Sequence, residues 1–159
     1  MYKRIFVPID GSSTANRGFK EALRLARQTG AGLTLFHAVD DSFVTRAGDA
    51  AVFPDSFFTS LRDAGRKLLS RAEATARKSG VRARAVLVEQ VVGQVADAIV
   101  REARRSRADL IVMGTHGRRG VRRLVVGSDA EQVLREAPVP VLLVRALAAR
   151  GRAKRAGRT

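Results

Sequence analysis

Residues 109–128, DLIVMGTHGRRGVRRLVVGS, decide the fold, because an apolar run meets four glycines and four arginines there, followed by a helix-like segment. The run LIVM is apolar without alternation, which is typical of a parallel strand that helices cover on both faces. Ser128 and Glu131 form the Ser-x-x-Glu pattern of a capping box, which predicts that a helix begins at Ser128. The stretch therefore predicts a buried strand, a glycine-rich connection and a helix N-terminus in succession.

Similar short apolar runs alternate with helical patterns along the whole chain, which favours a parallel sheet covered by helices. The predicted strands are Arg4–Ile9, Leu33–Val39, Arg82–Glu89, Asp109–Gly114 and Val139–Arg145. Apolar residues at helical spacing predict four helices, through positions 15–26, 61–75, 95–103 and 130–137. Right-handed crossovers then give a single-domain, doubly wound α/β sheet with helices on both faces.

Residues between the second strand and the second helix have a different character. The segment from Asp41 to Phe57 has no clear period, and we predict a long loop there. Gly30 and Gly80 stand where the first two helices should end, since glycine is preferred just after a helix C-cap. His37 lies within the second strand and is expected to be a core or helix-packed histidine.

The composition suits one domain and excludes several classes of site. A chain of 159 residues that is 45% hydrophobic can bury one ordinary core. No apolar run is long enough for a membrane span or a signal peptide, so we expect a soluble, cytoplasmic protein. The absence of cysteine excludes disulfides and thiolate metal sites, and two histidines are too few for a histidine metal cage.

The formal charge of +15 raises the question of nucleic acid as a partner. Six of the 30 Lys and Arg residues lie in the last 15 positions, which carry no acid, so 24 basic and 15 acidic residues remain for the rest. We predict a domain over residues 1–145 and a disordered basic tail over 146–159. With 5% aromatic residues and no recognised DNA-reading motif, at most weak, salt-sensitive association with nucleic acid is expected.

Ligands of open α/β sheets bind beyond the carboxyl ends of the strands, where the strand order reverses. The chain has neither the P-loop pattern nor G-x-G-x-x-G; instead, Gly114-x-x-Gly117 is followed after nine residues by Gly127-Ser128. Such glycines are common in ordinary turns. They also let successive N–H groups face one anion, and a helix start at Ser128 would add its positive dipole end. We therefore predict that the two glycine sites converge on a phosphate group.

The same stretch, GTHGRRGVRRLVVGS, resembles the G-2x-G-9x-G-[ST] signature of nucleotide-binding universal stress proteins. IFVPIDGS, ADLIVMGTHG and VPVLLVR resemble the first, fourth and fifth strands of that family, and the resemblance runs from about Tyr2 to Arg145. It implies an adenine nucleotide alpha hydrolase-like sheet in the order 3-2-1-4-5. It also implies ATP, ADP or AMP as the ligand, with Mg²⁺ as a candidate metal, and a homodimer paired through the last strand, Val139 to Val144.

The resemblance further implies a nucleotide site built from the segments that follow the first, second and fourth strands. The residues implied on the adenine and ribose side are Pro8, Ile9, Asp10 and Val39. The residues implied beside the ribose and the phosphates are Met113, Gly114, Gly117, Gly127 and Ser128.

Charged residues surround these glycines. Arg118 or Arg119 is expected to pair with the phosphates, because charge-assisted pairs are strong, although solvated arginines are equally common in such loops. His116 could act as an acid or base near a phosphate, or simply occupy a turn. Asp129 places a carboxylate close to the anion site, so only its N–H is expected to contribute.

The leading functional prediction is an adenine-nucleotide-binding stress-response protein, in which the nucleotide biases a conformation or a partner surface. The alternatives are a slow ATPase or phosphotransferase and, less favoured, a basic nucleic-acid-associated protein. No catalytic residue is predicted, since Ser128, His116 and Asp10 lack a third group to orient the histidine. The metal site stays open: residues 40–41, a pair of aspartates, could hold Mg²⁺ or merely end the second strand.

Overall fold

The computed structural model describes residues 1–39, 54–89, 91, 93–115 and 127–145. The strands within these ranges are β1 (Arg4–Pro8), β2 (Gly32–Ala38), β3 (Ala83–Val88), β4 (Leu110–Gly114) and β5 (Val141–Val144). The helices are α1 (Ser13–Thr29), α2 (Asp55–Lys78), α3 (Val95–Arg105) and α4 (Ser128–Glu136).

The five strands form one parallel sheet in the order β3-β2-β1-β4-β5, which confirms the predicted topology. The order reverses at β1: the chain first moves outward to β2 and β3, and then returns to place β4 on the other side of β1. The carboxyl ends of β1 and β4 therefore flank the switch point, called the crevice below, where a sheet of this kind holds its ligand.

Side chains alternate across the sheet and divide the core into two layers. Ile5 and Val7 of β1 point to the layer shared with α1 and α2, and both are buried. Phe6 points to the layer under α3 and α4, where its ring packs against Phe36 with centroids 5.4 Å apart. Because the central strands are apolar on both sides, they carry the continuous hydrophobic runs that the sequence displays.

Two sets of predicted boundaries are wrong, those of the strands and the end of the loop. Strands β1, β3, β4 and β5 are shorter than predicted, whereas β2 keeps its predicted length and lies one residue earlier. Strand β5 begins at Val141 rather than Val139, because residues 138–139 form a bend. The predicted loop ends too late: Pro54 is the N-cap of α2, so Phe57 lies in the first helical turn, while residues 40–53 lie outside the described residues. Gly30, with φ of 72°, ends α1 as predicted.

The buried faces of two helices also differ from prediction. The buried residues of helix α2 are Gly65, Leu69, Ala72 and Ala76, whereas the predicted Ala64 and Thr75 are exposed. The buried face includes a glycine, which a search for the periodicity of apolar side chains does not detect. Helix α4 buries Ala130 and Val133, but Leu134 is 47% exposed. Within the described part of the chain, no helix has both the length and the apolar character needed to cross a bilayer.

Candidate functional site

Three segments meet at the carboxyl edge of the sheet, each extending a strand by one residue. The Ile9 N–H donates to the Phe36 carbonyl oxygen at 2.8 Å, and the Val39 N–H donates to that of Val88 at 2.9 Å. The Thr115 N–H donates to the Val144 carbonyl oxygen at 3.1 Å. The ends of β1, β2 and β4 are therefore fixed in one row, as a ligand site at the switch point requires.

The end of β4 and the start of α4 are joined directly. The Gly127 N–H donates to the Thr115 carbonyl oxygen at 2.8 Å, although residues 116–126 separate them in sequence. Gly114 immediately precedes Thr115, so the two glycine positions expected to converge, Gly114 and Gly127, are neighbours in the structure. The N-terminus of α4 thus lies against the end of β4.

The N-cap residue of α4 has no side chain with which to cap the helix. The N-cap is Gly127, with φ −62° and ψ 151°, so the predicted capping box from Ser128 is wrong. Ser128 is already the first helical residue, and the Glu131 carboxylate pairs instead with Arg135 at 2.8 Å. The first-turn N–H groups, which have no acceptor within a helix, therefore begin at the exposed Ser128 and Asp129.

Gly114 has a packing role independent of any ligand. A Cβ atom at this position would lie 2.7 Å from the carbonyl carbon of Thr14 and 2.8 Å from the nitrogen of Ala15. Gly18 of α1 approaches the same strand end, and a Cβ there would lie 3.2 Å from the Gly114 nitrogen. The first turns of α1 therefore press on the end of β4, and glycine is the residue that admits them.

Asp10 is held in a tight turn at the end of β1. Gly11 has φ of 82°, a conformation that favours glycine, and the Ser12 N–H donates to Asp10 Oδ1 at 2.9 Å. Ser12 in turn caps α1, because its Oγ accepts from the Ala15 N–H at 3.1 Å. The Asp10 carboxylate is thus fixed, half-buried, on the β1 side of the crevice.

The apolar residues predicted for the site differ in what they offer. Ile9, Val39 and Met113 are all buried, and Met113 packs in the layer under α3 and α4. Their main chains, rather than their side chains, end the strands at the crevice. Pro8 is half-buried on the same wall. Sequence patterns alone do not show whether a residue contributes its main chain or its side chain to the site.

Several predicted site residues lie outside the described residues: His116, Gly117, Arg118 and Arg119, together with residues 40–41. Among the residues that are described, no cluster of three or more His, Asp or Glu side chains could hold a metal ion. The pKa of Glu21 is lowered by its hydrogen bond from Arg24, but this pair lies on the outer face of α1. Among the described residues, the charges and dipoles nearest the crevice are those of the Asp10 and Asp129 carboxylates and of the helix N-termini.

Two polar residues at this edge were not predicted as part of the site. Thr115 is only 6% exposed. Its N–H bonds the end of β5, and its carbonyl oxygen accepts the bond from Gly127 at the start of α4. The His37 Nδ1 lies 2.8 Å from the Ile9 carbonyl oxygen. The expected packing of His37 against a helix is confirmed, since a Cβ at Gly65 of α2 would lie 2.7 Å from its ring. The signal in the sequence that could have indicated this role of His37 is a polar ring among the apolar residues of the strand.

A parallel sheet with a glycine-capped helix start at its switch point places this protein among the doubly wound α/β proteins that hold ligands at the carboxyl edge. Residues 1–145 match the model of the universal stress protein family, and the chain belongs to this family. A universal stress protein of Methanocaldococcus jannaschii is 34% identical over 91% of this chain and 83% of its own length. One of Thermus aquaticus is 38% identical over 91% of this chain and all of its own length.

Solved structures agree with this assignment. A universal stress family protein from Burkholderia pseudomallei is 35% identical, with a TM-score of 0.73 over 91% of this chain and 97% of that chain. The Archaeoglobus fulgidus universal stress protein in complex with dAMP is 25% identical, with a TM-score of 0.62 over 90% and 98% of the two chains. A universal stress protein in complex with cAMP is 25% identical, with a TM-score of 0.61 over 91% and 97%.

Proposed function

We propose that this protein binds an adenine nucleotide, ATP, ADP or AMP, at the carboxyl ends of β1 and β4, and that it acts in the cytoplasm as a nucleotide-dependent switch in the stress response. Two similar universal stress proteins were solved with the adenine nucleotides cAMP and dAMP. In this chain, the bound nucleotide would bias a conformation or a partner surface rather than undergo fast turnover.

The observation that carries the proposal is the 2.8 Å hydrogen bond from the Gly127 N–H to the Thr115 carbonyl oxygen. It holds the positive dipole end of α4 beside the end of β4, with Ser128 and Asp129 exposed at the first turn. Helix N-termini of this kind favour phosphate groups. In the proposed site, Gly117 and one of Arg118 and Arg119 complete the phosphate end, and Mg²⁺ would enter on phosphate oxygens.

The adenine and ribose occupy the β1 and β2 side of the proposed site. Asp10 is fixed by its turn and is well placed to accept a hydrogen bond from a ribose hydroxyl or from the base. Pro8 and Ile9 form the wall behind it, and Val39 ends β2 next to it. Because the Val39 N–H is bonded to the Val88 carbonyl oxygen, the Val39 carbonyl oxygen is the main-chain group that would face the edge of the base.

The nucleotide itself is identified by denaturing the purified protein and analysing the released small molecules by mass spectrometry. The wild type should release an adenine nucleotide, or take one up when it is added with Mg²⁺. Gly117→Val should empty the site, since a branched side chain would fill the space that the phosphates need. Gly32→Ala is the matched control, because a Cβ there meets only the Arg82 carbonyl oxygen at 3.8 Å. Equal nucleotide content in all three proteins would contradict the site.

A switch and an enzyme differ in turnover. Single-turnover assays with labelled ATP and Mg²⁺ should give hydrolysis far below the roughly 1 to 1000 per second that is typical of enzymes. Rates within that range would replace the switch with an ATPase or a phosphotransferase.

We further propose that two copies pair through β5, which among the described strands contacts β4 alone. All four β5 residues are half-buried, and an apolar edge of this kind favours pairing. The Pro140 and Val144 carbonyl oxygens accept bonds from β4, so the main-chain groups of Val141 and Leu143 face outward.

Leu143→Pro should therefore convert a dimer to a monomer in light scattering, because it removes an outward-facing donor. Ala85→Pro, on the opposite edge strand β3, is the matched control and should leave the dimer intact. A Leu143→Pro dimer of unchanged mass would contradict pairing through β5.

A further inference from the structure

His37 lies near the carboxyl end of β2, on the face that carries the apolar side chains of Leu33 and Leu35. Its Nδ1 lies 2.8 Å from the Ile9 carbonyl oxygen. A carbonyl oxygen only accepts hydrogen bonds, so Nδ1 must carry the hydrogen. Both the neutral tautomer with hydrogen on Nδ1 and the imidazolium form provide that donor, so the bond does not require one particular charge state.

Gly65 is a glycine in the middle of α2, where alanine is intrinsically more favourable. A Cβ at Gly65 would lie 2.7 Å from His37 Cδ2 and 3.3 Å from His37 Nε2. The missing side chain therefore makes room for the histidine ring. A Cβ at Gly65 would also lie 3.0 Å from Leu87 Cδ1, so the glycine accommodates both side chains, and the nearest of these contacts is to the ring that bonds Ile9.

This bond fixes the peptide that leads into Asp10. The Ile9 N–H donates to the Phe36 carbonyl oxygen at 2.8 Å, and its carbonyl receives the His37 Nδ1–H. Both polar main-chain groups of Ile9 are thus held by adjacent residues of β2. Leu68 of α2 lies near the following turn, since its Cδ1 would be 3.9 Å from a Cβ built at Gly11.

We propose that His37 is a positioning residue for the base and ribose side of the nucleotide site, acting through the Ile9–Asp10 peptide without touching the ligand. This inference rests on the proposed nucleotide-binding function. The phosphate end is built on a different element, the N-terminus of α4. A defect at His37 should therefore weaken recognition of the nucleoside and leave recognition of the phosphates intact.

The test compares affinities for ATP and for inorganic tripolyphosphate, the latter measured by displacement of labelled ATP from the full chain. His37→Phe keeps a ring but removes the donor, and it should lower ATP affinity about tenfold, the scale of one lost hydrogen bond, without changing tripolyphosphate affinity. His37→Asn keeps a nitrogen donor at the δ position and should retain most of the ATP affinity. Thr34→Val, which alters the polar residue on the opposite face of β2, is the matched control and should bind ATP normally.

A double-mutant cycle tests whether Gly65 acts through the ring. Gly65→Ala should weaken ATP binding in the His37 protein, and have little further effect in the His37→Ala protein, where the ring is gone. Melting curves followed by circular dichroism check that each variant is folded.

The outcomes separate the two proposals. A wild type that binds no adenine nucleotide overturns the proposed function and this inference with it. Nucleotide binding that is equally strong in His37→Phe, equal losses in His37→Phe and His37→Asn, or equal losses for ATP and tripolyphosphate, would overturn the positioning role alone.

Discussion

Two helices begin beside the switch point, and their N-termini are completed differently. In α1, Ser12 Oγ accepts from the Ala15 N–H at 3.1 Å, and the first turn packs against Gly114. In α4, the N-cap is Gly127, which has no side chain that could cap the helix. One helix start is therefore closed by its own N-cap side chain and by packing, whereas the N-cap of the other has no side chain. In the proposed site, the phosphates take that place at α4.

Helix α4 is nevertheless firmly anchored. Asp97 Oδ2 accepts from the Gln94 N–H at the start of α3, and Asp97 Oδ1 accepts from Gln132 Nε2 of α4, both at 2.9 Å. The second turn of α4 is thereby tied to α3, while its first turn faces the crevice. The comparison teaches that the same sheet edge has a packing end at α1 and a proposed binding end at α4, which substitutions can address separately.

The largest effect is expected at the packing end. Gly114→Ala would place a Cβ 2.7 to 2.9 Å from main-chain and side-chain atoms of Thr14 and Ala15, so α1 must shift. We expect the free energy of unfolding to fall by roughly 1 to 3 kcal/mol or more, as for other overpacked cores. Urea denaturation measures it, with Gly32→Ala as the control that should change little. A stability equal to that of the control would mean that α1 does not depend on this contact.

A smaller loss is expected from opening the closed helix start. Ser12→Ala removes the side-chain cap of α1 and should lower the free energy of unfolding by about 1 kcal/mol, while Ser12→Thr should retain most of it. ATP affinity should remain unchanged in both variants, because α1 is not the phosphate-binding helix in the proposed site. Loss of ATP binding with Ser12→Ala but not with Ser12→Thr would place the ligand at α1 instead and remove the contrast between the two helices.

The general plan of the fold was predictable because its signals are local and repeated. Continuous apolar runs such as Leu110–Met113 are dictated by burial on both faces, and the family signature supplied the strand order. The start of α2 was not predictable from periodicity, since its first turns bury little. A helical repeat of apolar residues appears in the sequence only where one face of the helix is buried.

The site was less predictable than the fold because its residues have several roles at once. Gly114 was assigned to the ligand, but the structure shows that α1 also requires a glycine there. Ser128 fits a capping-box pattern, yet the helix begins one residue too early for it to serve as the cap, since Ser128 is already the first helical residue. The bond from His37 to Ile9 joins residues 28 positions apart, and no local pattern encodes such a contact.

The smallest stability change, and the most direct test of the binding end, is expected from Gly127→Ser. The Gly127 backbone, with φ −62° and ψ 151°, is one that any residue can adopt, so serine fits without strain. Its hydroxyl would cap the N–H of the second or third residue of α4, raising the free energy of unfolding by a few tenths of a kcal/mol. That hydroxyl would also occupy a donor that the phosphates need, so ATP affinity measured by calorimetry should fall while stability rises. Simple damage to the fold lowers both quantities, so opposite signs would identify the N-terminus of α4 as the phosphate site, and unchanged affinity would exclude it.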